Sequence, residues 1–182
     1  MQKIPRSDRR ANYMSSDIDV EADELAEQLA GRHHWVLSTT RADGRPQMSL
    51  VTGGMIADGR LAISTYPSRV KAKNARRNPL VSVAVMGEEF NSAWIQIDGE
   101  AEVLDMPDAA DGFVDYYRSI SGEHPDWDEY RQAMGDQGKC MILITPTRWS
   151  PLSKGGFPPE LFEDDDTSSD TSSDTSSEET SR

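Results

Sequence analysis

The sequence predicts a mainly β fold, a small antiparallel barrel of six strands accompanied by short helices. The tetrapeptide Ala-Asp-Gly-Arg occurs twice, at residues 42–45 and 57–60, each time between stretches rich in β-forming residues. Asp-Gly in such a place is a strong hairpin signal. Repeated tight turns and few helices favour a barrel, and its six strands are expected at residues 34–40, 46–55, 61–65, 80–86, 94–104 and 141–145.

The order of the turns predicts how the strands pair. The first three strands are expected to form an antiparallel meander across the two tetrapeptides. Gly53 and Gly54 fall inside the second strand, where they indicate a bulge rather than a phosphate-binding loop. Polar and apolar residues alternate along the fifth strand, so one of its faces is expected to be polar, with Gly99 at a bulge or a close approach.

Four helices are expected beside these strands. Residues 17–30 carry apolar side chains at helical spacing, as do residues 107–120. Residues 125–134 place acidic residues early and an arginine late, which is the charge order that a helix dipole prefers. Residues 69–77 form a short helix of about two turns, and the preceding Ser68 is the expected N-cap.

Charge divides the 182-residue chain, whose formal net charge is -13, into three parts. Residues 161–182 are almost entirely Asp, Glu, Ser and Thr, with eight acids against one arginine from residue 163 onward. Such a segment has too little apolar area to offset the ordering of the chain, which predicts a disordered tail. One ordered domain is expected at residues 17–160, preceded by a flexible extension at residues 1–16.

Several classes of protein are disfavoured by what the sequence lacks. There is no apolar run near 18 residues, so no membrane partner is expected. Cys140 stands alone, so no intramolecular disulfide can form, and a cytoplasmic location is predicted. The three histidines show no metal-ligand spacing, neither a Rossmann nor a P-loop motif occurs, and no local signature marks a nucleophile. We therefore expect no metal and no catalytic side chain.

The segment at residues 69–77 holds five positive charges and no negative one, inside an acidic chain. Arg69 and Lys71 fall in the first turn of the expected helix, the end at which the dipole disfavours cations. A phosphate group bound to the free N–H groups of that turn would make the arrangement favourable. The segment therefore predicts a phosphate site, with a solvated basic patch as the alternative. Nucleic acid is disfavoured because no aromatic stacking platform accompanies the cations.

Three motifs carry a resemblance to a known family. Gly44-Arg45-Pro46-Gln47, then Ser64-Thr65, then Arg69-x-Lys71-x-x-Asn74-x-x-Arg77-Asn78-Pro79 resemble the pyridoxamine 5'-phosphate oxidase-like split β-barrel superfamily. Residues 117–134 are similar to its actinobacterial branch that uses coenzyme F420, a phosphorylated 5-deazaflavin. The resemblance extends over residues 25–159.

The resemblance implies a homodimeric split barrel with the cofactor in a groove between protomers. It assigns the phosphate to Arg69 and Lys71, with Asn74 as a polar partner on the same helix. It places the ring system against the strand end formed by Ile63, Ser64 and Thr65, beside Gln47. It also assigns an aromatic position, here Trp94, to the second protomer.

The activity that this resemblance implies is hydride transfer between C5 of the deazaflavin and a conjugated small-molecule substrate. Such a reaction needs no protein nucleophile, because an organic cofactor supplies the chemistry. Two alternatives stay open: an oxidoreductase of the same fold that binds FMN, and a carrier that binds a flavin, deazaflavin or haem-like ligand without turnover. Vitamin B6 oxidation is disfavoured because the sequence after Arg148-Trp149 departs from the ending of true pyridoxamine phosphate oxidases.

Overall fold

The body of the protein is a curled antiparallel sheet, and the mainly β prediction is confirmed. The computed structural model describes residues 3–89 and 91–164, so residues 165–182 of the predicted tail lie outside the described residues. The strands are β1 Ser16–Ile18, β2 His34–Thr40, β3 Pro46–Thr52, β4 Gly54–Met55, β5 Leu61–Thr65, β6 Leu80–Val85, β7 Ile95–Asp105, β8 Cys140–Trp149 and β9 Leu152–Lys154. The helices are α1 Leu25–Leu29, α2 Val70–Arg77, α3 Ala110–Ser121 and α4 Trp127–Asp136, with 3-10 helices at Arg9–Tyr13 and Pro159–Leu161.

Gly53 divides the predicted second strand, so the main sheet of the described chain has seven strands rather than six. Their order is β3-β2-β6-β7-β8-β5-β4. β3 and β4 therefore lie at opposite edges of the sheet, although Gly53 alone separates them along the chain. The sheet must curl until its edges meet at this residue. A Cβ at Gly53 would overlap the indole of Trp35, so the chain passes a buried tryptophan where only glycine fits.

Both Asp-Gly tetrapeptides form the predicted turns, but the two hairpins do not join into the predicted three-stranded meander. The first turn joins β2 to β3, the second joins β4 to β5, and the aspartate of each accepts a hydrogen bond from the backbone N–H two residues later. β5 then pairs with β8 instead of β3. The reason is the change of direction at Gly53, which carries the chain to the far edge before β5 begins.

Two apolar clusters hold the sheet in place, one on each of its faces. Inside the curl, Trp35, Leu37 and Ile63 pack with the inward residues of β6, β7 and β8. Outside it, Ala62 and Met141 pack under Phe113 of α3 and its neighbours. β5 is thus buried on both faces, and this packing fixes the position of its residues relative to the helices.

The helices differ from the expected ones mainly where they begin. α1 is limited to Leu25–Leu29, because residues 16–18 pair with β9 as the strand β1 instead of continuing the predicted helix. α4 begins after Asp126, whose carboxylate accepts hydrogen bonds from the N–H groups of Asp128 and Glu129. The register of the β7–β8 pairing shifts between Asp98 and Gly99, which confirms the predicted irregularity at Gly99.

The N-terminal part of the described chain pairs with its C-terminal end. This part is residues 3–18, which comprise the described residues of the expected extension and the adjoining strand β1. Ile4 bridges to Phe162, whose side chain is 1% exposed, and Met14 bridges to Phe157. Lys3 forms an ion pair with Asp164. No helix among residues 3–89 and 91–164 is long and apolar enough to span a membrane.

Candidate functional site

A groove of about 510 Å³ opens where the two edges of the curled sheet face the helices. One wall is the end of β3, residues 50–52, and the floor includes Ser64 of β5 and Lys71 of α2. The opposite wall comes from α3, α4 and the residue before β8. These residues are Tyr116, Tyr117, Ile120, Tyr130, Met134 and Lys139. A volume of this size is typical of sites for small organic ligands.

The backbone edges beside the groove are open. β5 pairs with β4 only through Leu61 and Ala62, so no strand among the described residues pairs with that side of Ile63, Ser64 and Thr65. β3 is likewise an edge strand, bonded to β2 alone. Backbone groups on such edges are free to bind a ligand with several hydrogen-bonding positions on one flat ring.

Side-chain burial at this strand end agrees with a backbone role. Ile63 is fully buried in the inner cluster, and Thr65 is also buried. Ser64 is half-buried and lines the groove. The resemblance assigned these three residues to a strand end that lines a ring with its backbone, and only Ser64 also offers a side chain to the groove.

The first turn of α2 is uncapped. The N-cap position falls on Arg69, one residue after the predicted Ser68, and no side chain accepts a hydrogen bond from the turn. The first turn contains no acidic residue. The N–H groups of Val70, Lys71 and Ala72 consequently have no acceptor within the part of the chain that the structure describes. Free N–H groups and a positive helix end are what an anion binds.

Lys71 brings a cation to the same place. It is half-buried, and desolvation together with the nearby Arg69 guanidinium lowers the pKa of its ammonium group. It forms no ion pair among residues 3–89 and 91–164, whereas Arg76 on the same helix is paired with Asp105. A bound anion would favour the charged form and so oppose the lowering of this pKa by burial and by Arg69.

Arg69 is exposed and stands at the N-cap outside the groove lining, so of the predicted pair only Lys71 faces the groove. Lys139 was missed by the sequence reasoning and does line it. Its ammonium lies 5.8 Å from the ring centroid of Tyr66. Lys139 comes from a different part of the chain, and only the pairing of Thr65 with Cys140 brings it beside the end of β5.

Gln47 and Asn74 meet in one partly buried network. The Asn74 amide nitrogen donates to the Thr39 hydroxyl at 3.0 Å, and that hydroxyl donates to the Gln47 side-chain oxygen at 3.1 Å. Arg77 donates to the Asn74 carbonyl at 2.9 Å and to the backbone carbonyl of Thr40. The structure therefore brings both predicted residues together. Their side-chain amide groups are hydrogen-bonded within this network, which joins α2 to β2 and β3.

Trp94 lies apart from the groove of its own chain. It precedes β7 and bridges to Ser153, and its half-buried side chain is not among the groove lining. The resemblance assigned this position to the groove of a second protomer, so the single chain leaves that assignment as a prediction.

Four rings join α3 to α4 at the rim of the groove. The centroids of Tyr117, His124, Trp127 and Tyr130 lie 5.0–5.8 Å from one another in every pair. The Arg118 guanidinium covers the outer side of Trp127 at 4.7 Å. This four-ring cluster falls in residues 117–134, the segment that resembles the F420-using branch, and Tyr117 and Tyr130 extend from it into the groove lining.

The residues present fit a phosphate-bearing flat cofactor. The uncapped turn of α2 and Lys71 suit the phosphate, and the open edges of β3 and β5 suit a ring with donors and acceptors. In contrast, no group of three or more His, Cys, Asp or Glu residues that could hold a metal ion occurs within the described ranges.

Comparison with known proteins places this arrangement in a family. A family model described as pyridoxamine 5'-phosphate oxidase matches residues 22–153, which include β2 to β8 and every residue that lines the groove. A crystal structure of a conserved hypothetical protein from Mycobacterium tuberculosis is similar at a TM-score of 0.62 and 22% identity, covering 75% of this chain and 87% of that one.

Two further solved structures share the fold. An F420 reductase matches with a TM-score of 0.53 and 20% identity over 72% of this chain and 98% of its own. The haem storage protein HutZ from Vibrio cholerae matches with a TM-score of 0.55 and 17% identity over 75% and 98%. At these identities the likenesses establish the fold.

Proposed function

The chain belongs to the pyridoxamine 5'-phosphate oxidase family, and from that premise we propose that it is an oxidoreductase that binds coenzyme F420 in the groove. The reaction is hydride transfer between the deazaflavin and a conjugated small-molecule substrate. Within this fold family the F420 reductase is a structural neighbour of the chain. The four-ring cluster supports the choice, because the segment that resembles the F420-using branch forms a wall of the groove.

The observation that carries the proposal is the uncapped first turn of α2 beside Lys71. Among the described residues, three N–H groups of this turn have no acceptor, and Lys71, a half-buried lysine of the same turn that has no ion-pair partner there, lines the groove. Charge-assisted hydrogen bonds to a phosphate would satisfy these groups, each contributing about 1.5–3 kcal/mol. A solvated basic patch, the alternative, would not place a desolvated lysine against a cavity.

The protein groups in the groove bind and orient, while the bound cofactor supplies the hydride chemistry. The backbone groups of residues 63–65 and of the end of β3 would bind the polar atoms of the flat ring. Ser64 adds a hydroxyl at the floor. The tyrosines, Ile120 and Met134 cover the open side and exclude water, which protects a reactive reduced ring from side reactions.

Two alternatives have specific support. FMN carries a phosphate that the same turn and Lys71 would bind, so the cationic end of the groove does not separate FMN from the deazaflavin. A carrier without turnover is favoured by the likeness to a haem storage protein. For that role the chain would bind its ligand tightly, yet bound reduced cofactor would pass no hydride to quinones or enones.

We also propose that the chain forms a homodimer, as the resemblance implies. Large apolar side chains lie exposed on or beside the outer face of the sheet: Met48 is 66% exposed, Leu50 87% and Leu80 63%. Leu50 also lines the groove. A partner protomer placed on this face would cover the exposed apolar surface and close the groove. The role proposed for Trp94 requires a second protomer at this same groove.

The test is an equilibrium titration of the purified protein with oxidised coenzyme F420 and with FMN, followed by quenching of tryptophan fluorescence. We expect preferential deazaflavin binding that weakens at least about tenfold in Lys71→Ala, since one charge-assisted contact is removed. Arg69→Ala is expected to weaken binding less, because this side chain lies outside the groove lining.

Lys73→Ala is the matched control, because Lys73 is an exposed cation on the same helix that points away from the groove. If Lys71→Ala and Lys73→Ala weaken cofactor binding equally, the binding reflects general electrostatic attraction and not a specific site. Tight FMN binding with weak deazaflavin binding would move the chain to the flavin alternative, and binding of neither cofactor would remove the proposal.

A further inference from the structure

A second cavity, of about 400 Å³, opens beside α1. Leu29 of α1, Ile56 after β4 and Ser119 of α3 each form part of its wall, and we call it the α1 pocket. The helix α3 contributes to this pocket and to the groove, but with different residues, and the two cavities share no lining residue. A ligand in the α1 pocket would therefore occupy a site separate from the groove.

The lining of the α1 pocket is almost entirely apolar. Leu29 and Ile56 are buried, and Met55 is half-buried beside them. Within the described ranges, no Asp, Glu, Lys or Arg side chain lines the pocket. A Cβ at Gly31 would meet nothing within 4 Å, so the pocket is open on that side. Such a lining favours an uncharged ligand with an apolar body.

His33 brings a polar atom to this lining, and the fold fixes its tautomer. Its Nδ1 lies 2.9 Å from the backbone carbonyl oxygen of Gly53. Because a carbonyl oxygen can only accept, Nδ1 carries the proton, and Nε2 of the neutral ring is an acceptor. Nε2 has no hydrogen-bond partner among residues 3–89 and 91–164. The pocket lining thus contains a half-buried acceptor that the fold holds in place but does not use.

The other polar side chain of the lining is also an acceptor. The Ser119 hydroxyl donates its hydrogen to the backbone carbonyl of Tyr116 at 2.8 Å, so its oxygen lone pairs are what it offers to a ligand. In the part of the chain that the structure describes, His33 and Ser119 are the only lining side chains that contain nitrogen or oxygen. A ligand that forms a hydrogen bond with either side chain must therefore supply the donor.

The remaining side chains of the pocket suit an aromatic ring. The thioether of Met55 can contact a ring favourably. Ala30 and Ala57 add only methyl groups, which leave room for a flat molecule. An uncharged aromatic molecule with one strong hydrogen-bond donor is a phenol, and a cavity of this volume admits one with two fused rings.

We propose that the α1 pocket is a second binding site, that its ligand is an uncharged phenol, and that the phenol O–H donates a hydrogen bond to Nε2 of His33. The ring of the ligand lies between α1 and the hairpin that joins β4 to β5. This site is independent of the proposed function, because none of its lining residues lines the groove.

The test is equilibrium dialysis of the full-length protein at pH 7 with 2-naphthol and with 2-methoxynaphthalene, which keeps the oxygen but has no O–H. We expect wild type to bind 2-naphthol about fivefold more tightly, the effect of one neutral hydrogen bond. His33→Asn should remove this preference and leave 2-methoxynaphthalene binding unchanged. The asparagine amide can replace Nδ1 as the donor to Gly53, but it leaves no acceptor at the position of Nε2.

Two further variants locate the bound probe. Ala30→Trp fills the pocket from an exposed position and is expected to weaken the binding of both probes at least about tenfold. His34→Asn is the matched control, because His34 is the adjacent histidine and does not line the α1 pocket. It is expected to change neither affinity. Saturating coenzyme F420 should also leave 2-naphthol binding unchanged, since the cavities share no lining residue.

An unchanged preference for 2-naphthol in His33→Asn would overturn the inference, and equal weakening of both probes would show a packing role instead. Full binding in Ala30→Trp, or competition with coenzyme F420, would place the probes outside the α1 pocket and overturn the site even if His33→Asn did not fold. Absence of 2-naphthol binding at millimolar concentration would do the same. Failure of the cofactor to bind would remove the proposed function and leave this site standing.

Discussion

Lys71 is a half-buried ammonium group that the folded chain does not neutralise. Burial and Arg69 lower its pKa from the ordinary value of 10.5, so the charged form is less favourable in the folded chain than in the unfolded one. The lysine therefore destabilises the ligand-free fold below its folded pKa, and this effect disappears as pH rises through that pKa to the unfolded value. A residue that lowers stability at a cavity is typical of a binding site.

We predict that Lys71→Met raises the melting temperature of the ligand-free protein at pH 7. The apolar side chain keeps the length of lysine and removes the desolvated charge. The difference from wild type is expected to shrink as pH approaches 10.5, the ordinary value for lysine. Thermal unfolding followed by circular dichroism at both pH values measures it.

Lys73→Met serves as the matched variant for this measurement, because Lys73 is exposed on the same helix. Its melting temperature should stay near that of wild type. A Lys71→Met protein that melts below Lys73→Met at pH 7 would contradict the destabilising role of the Lys71 charge.

At the scale of elements, local signals were predictable from the sequence and pairings between distant segments were not. Both Asp-Gly turns and the helix α2 depend on residues close in sequence, and they were found. The pairing of β5 with β8 depends on the contact between Gly53 and Trp35, which no local pattern reveals. For the same reason Lys71 was predictable from its charge run, whereas Lys139 and Tyr130 reach the groove only through tertiary packing.

Asp98 illustrates how neighbouring strands are joined on the polar face that the sequence predicted. Its carboxylate accepts hydrogen bonds from Arg148 of β8, Ser82 of β6 and Gln96 of β7. Arg148 first, then Ser82 and Gln96, lower the pKa of Asp98 to about 2. Because the folded pKa lies below the ordinary 3.8, the stabilisation is present above pH 3.8 and is lost as pH falls through about 2.

Asp98→Asn is therefore expected to melt below wild type at pH 6 and to converge with it near pH 2. Exposed ion pairs contribute about 0.2–1 kcal/mol, which corresponds to no more than about 4 °C here. Melting curves at intervals between pH 6 and pH 2 test this, with Asp19→Asn as an exposed control. A constant difference across the whole range would show that the carboxylate charge is not involved.

For the whole molecule, the exposed apolar side chains of β3 and Leu80 are hard to reconcile with an isolated chain. Leu50 is 87% exposed, and its neighbours Val36 and Ala84 continue the apolar row across β2 and β6. A stable dimer buries about 800 Å² on each partner. An apolar row on one face of a sheet, beside an open groove, suits a second copy of the chain.

Leu50→Asp is predicted to convert a dimer into a monomer in sedimentation velocity at micromolar concentration, since it places a charge at the centre of the apolar row. Ile18→Asp, which changes an equally apolar exposed residue on β1, should leave the dimer intact. A wild-type protein that sediments as a monomer would remove the proposed homodimer and, with it, the role proposed for Trp94.

The pairing of β5 with β8 also determines when during synthesis the groove can exist. Ile63 pairs with Ile142 and Thr65 with Cys140, so β5 can pair with β8 only after the chain has been translated through both α3 and α4. The cationic turn of α2 is translated long before that, but Lys139 and the tyrosines of α3 and α4 come later. A nascent chain thus presents a basic turn without a cavity, and binding of the proposed cofactor must wait for a nearly complete polypeptide. Contacts so distant in sequence are slow to form, so cofactor added during refolding should report the last stage of folding rather than the first.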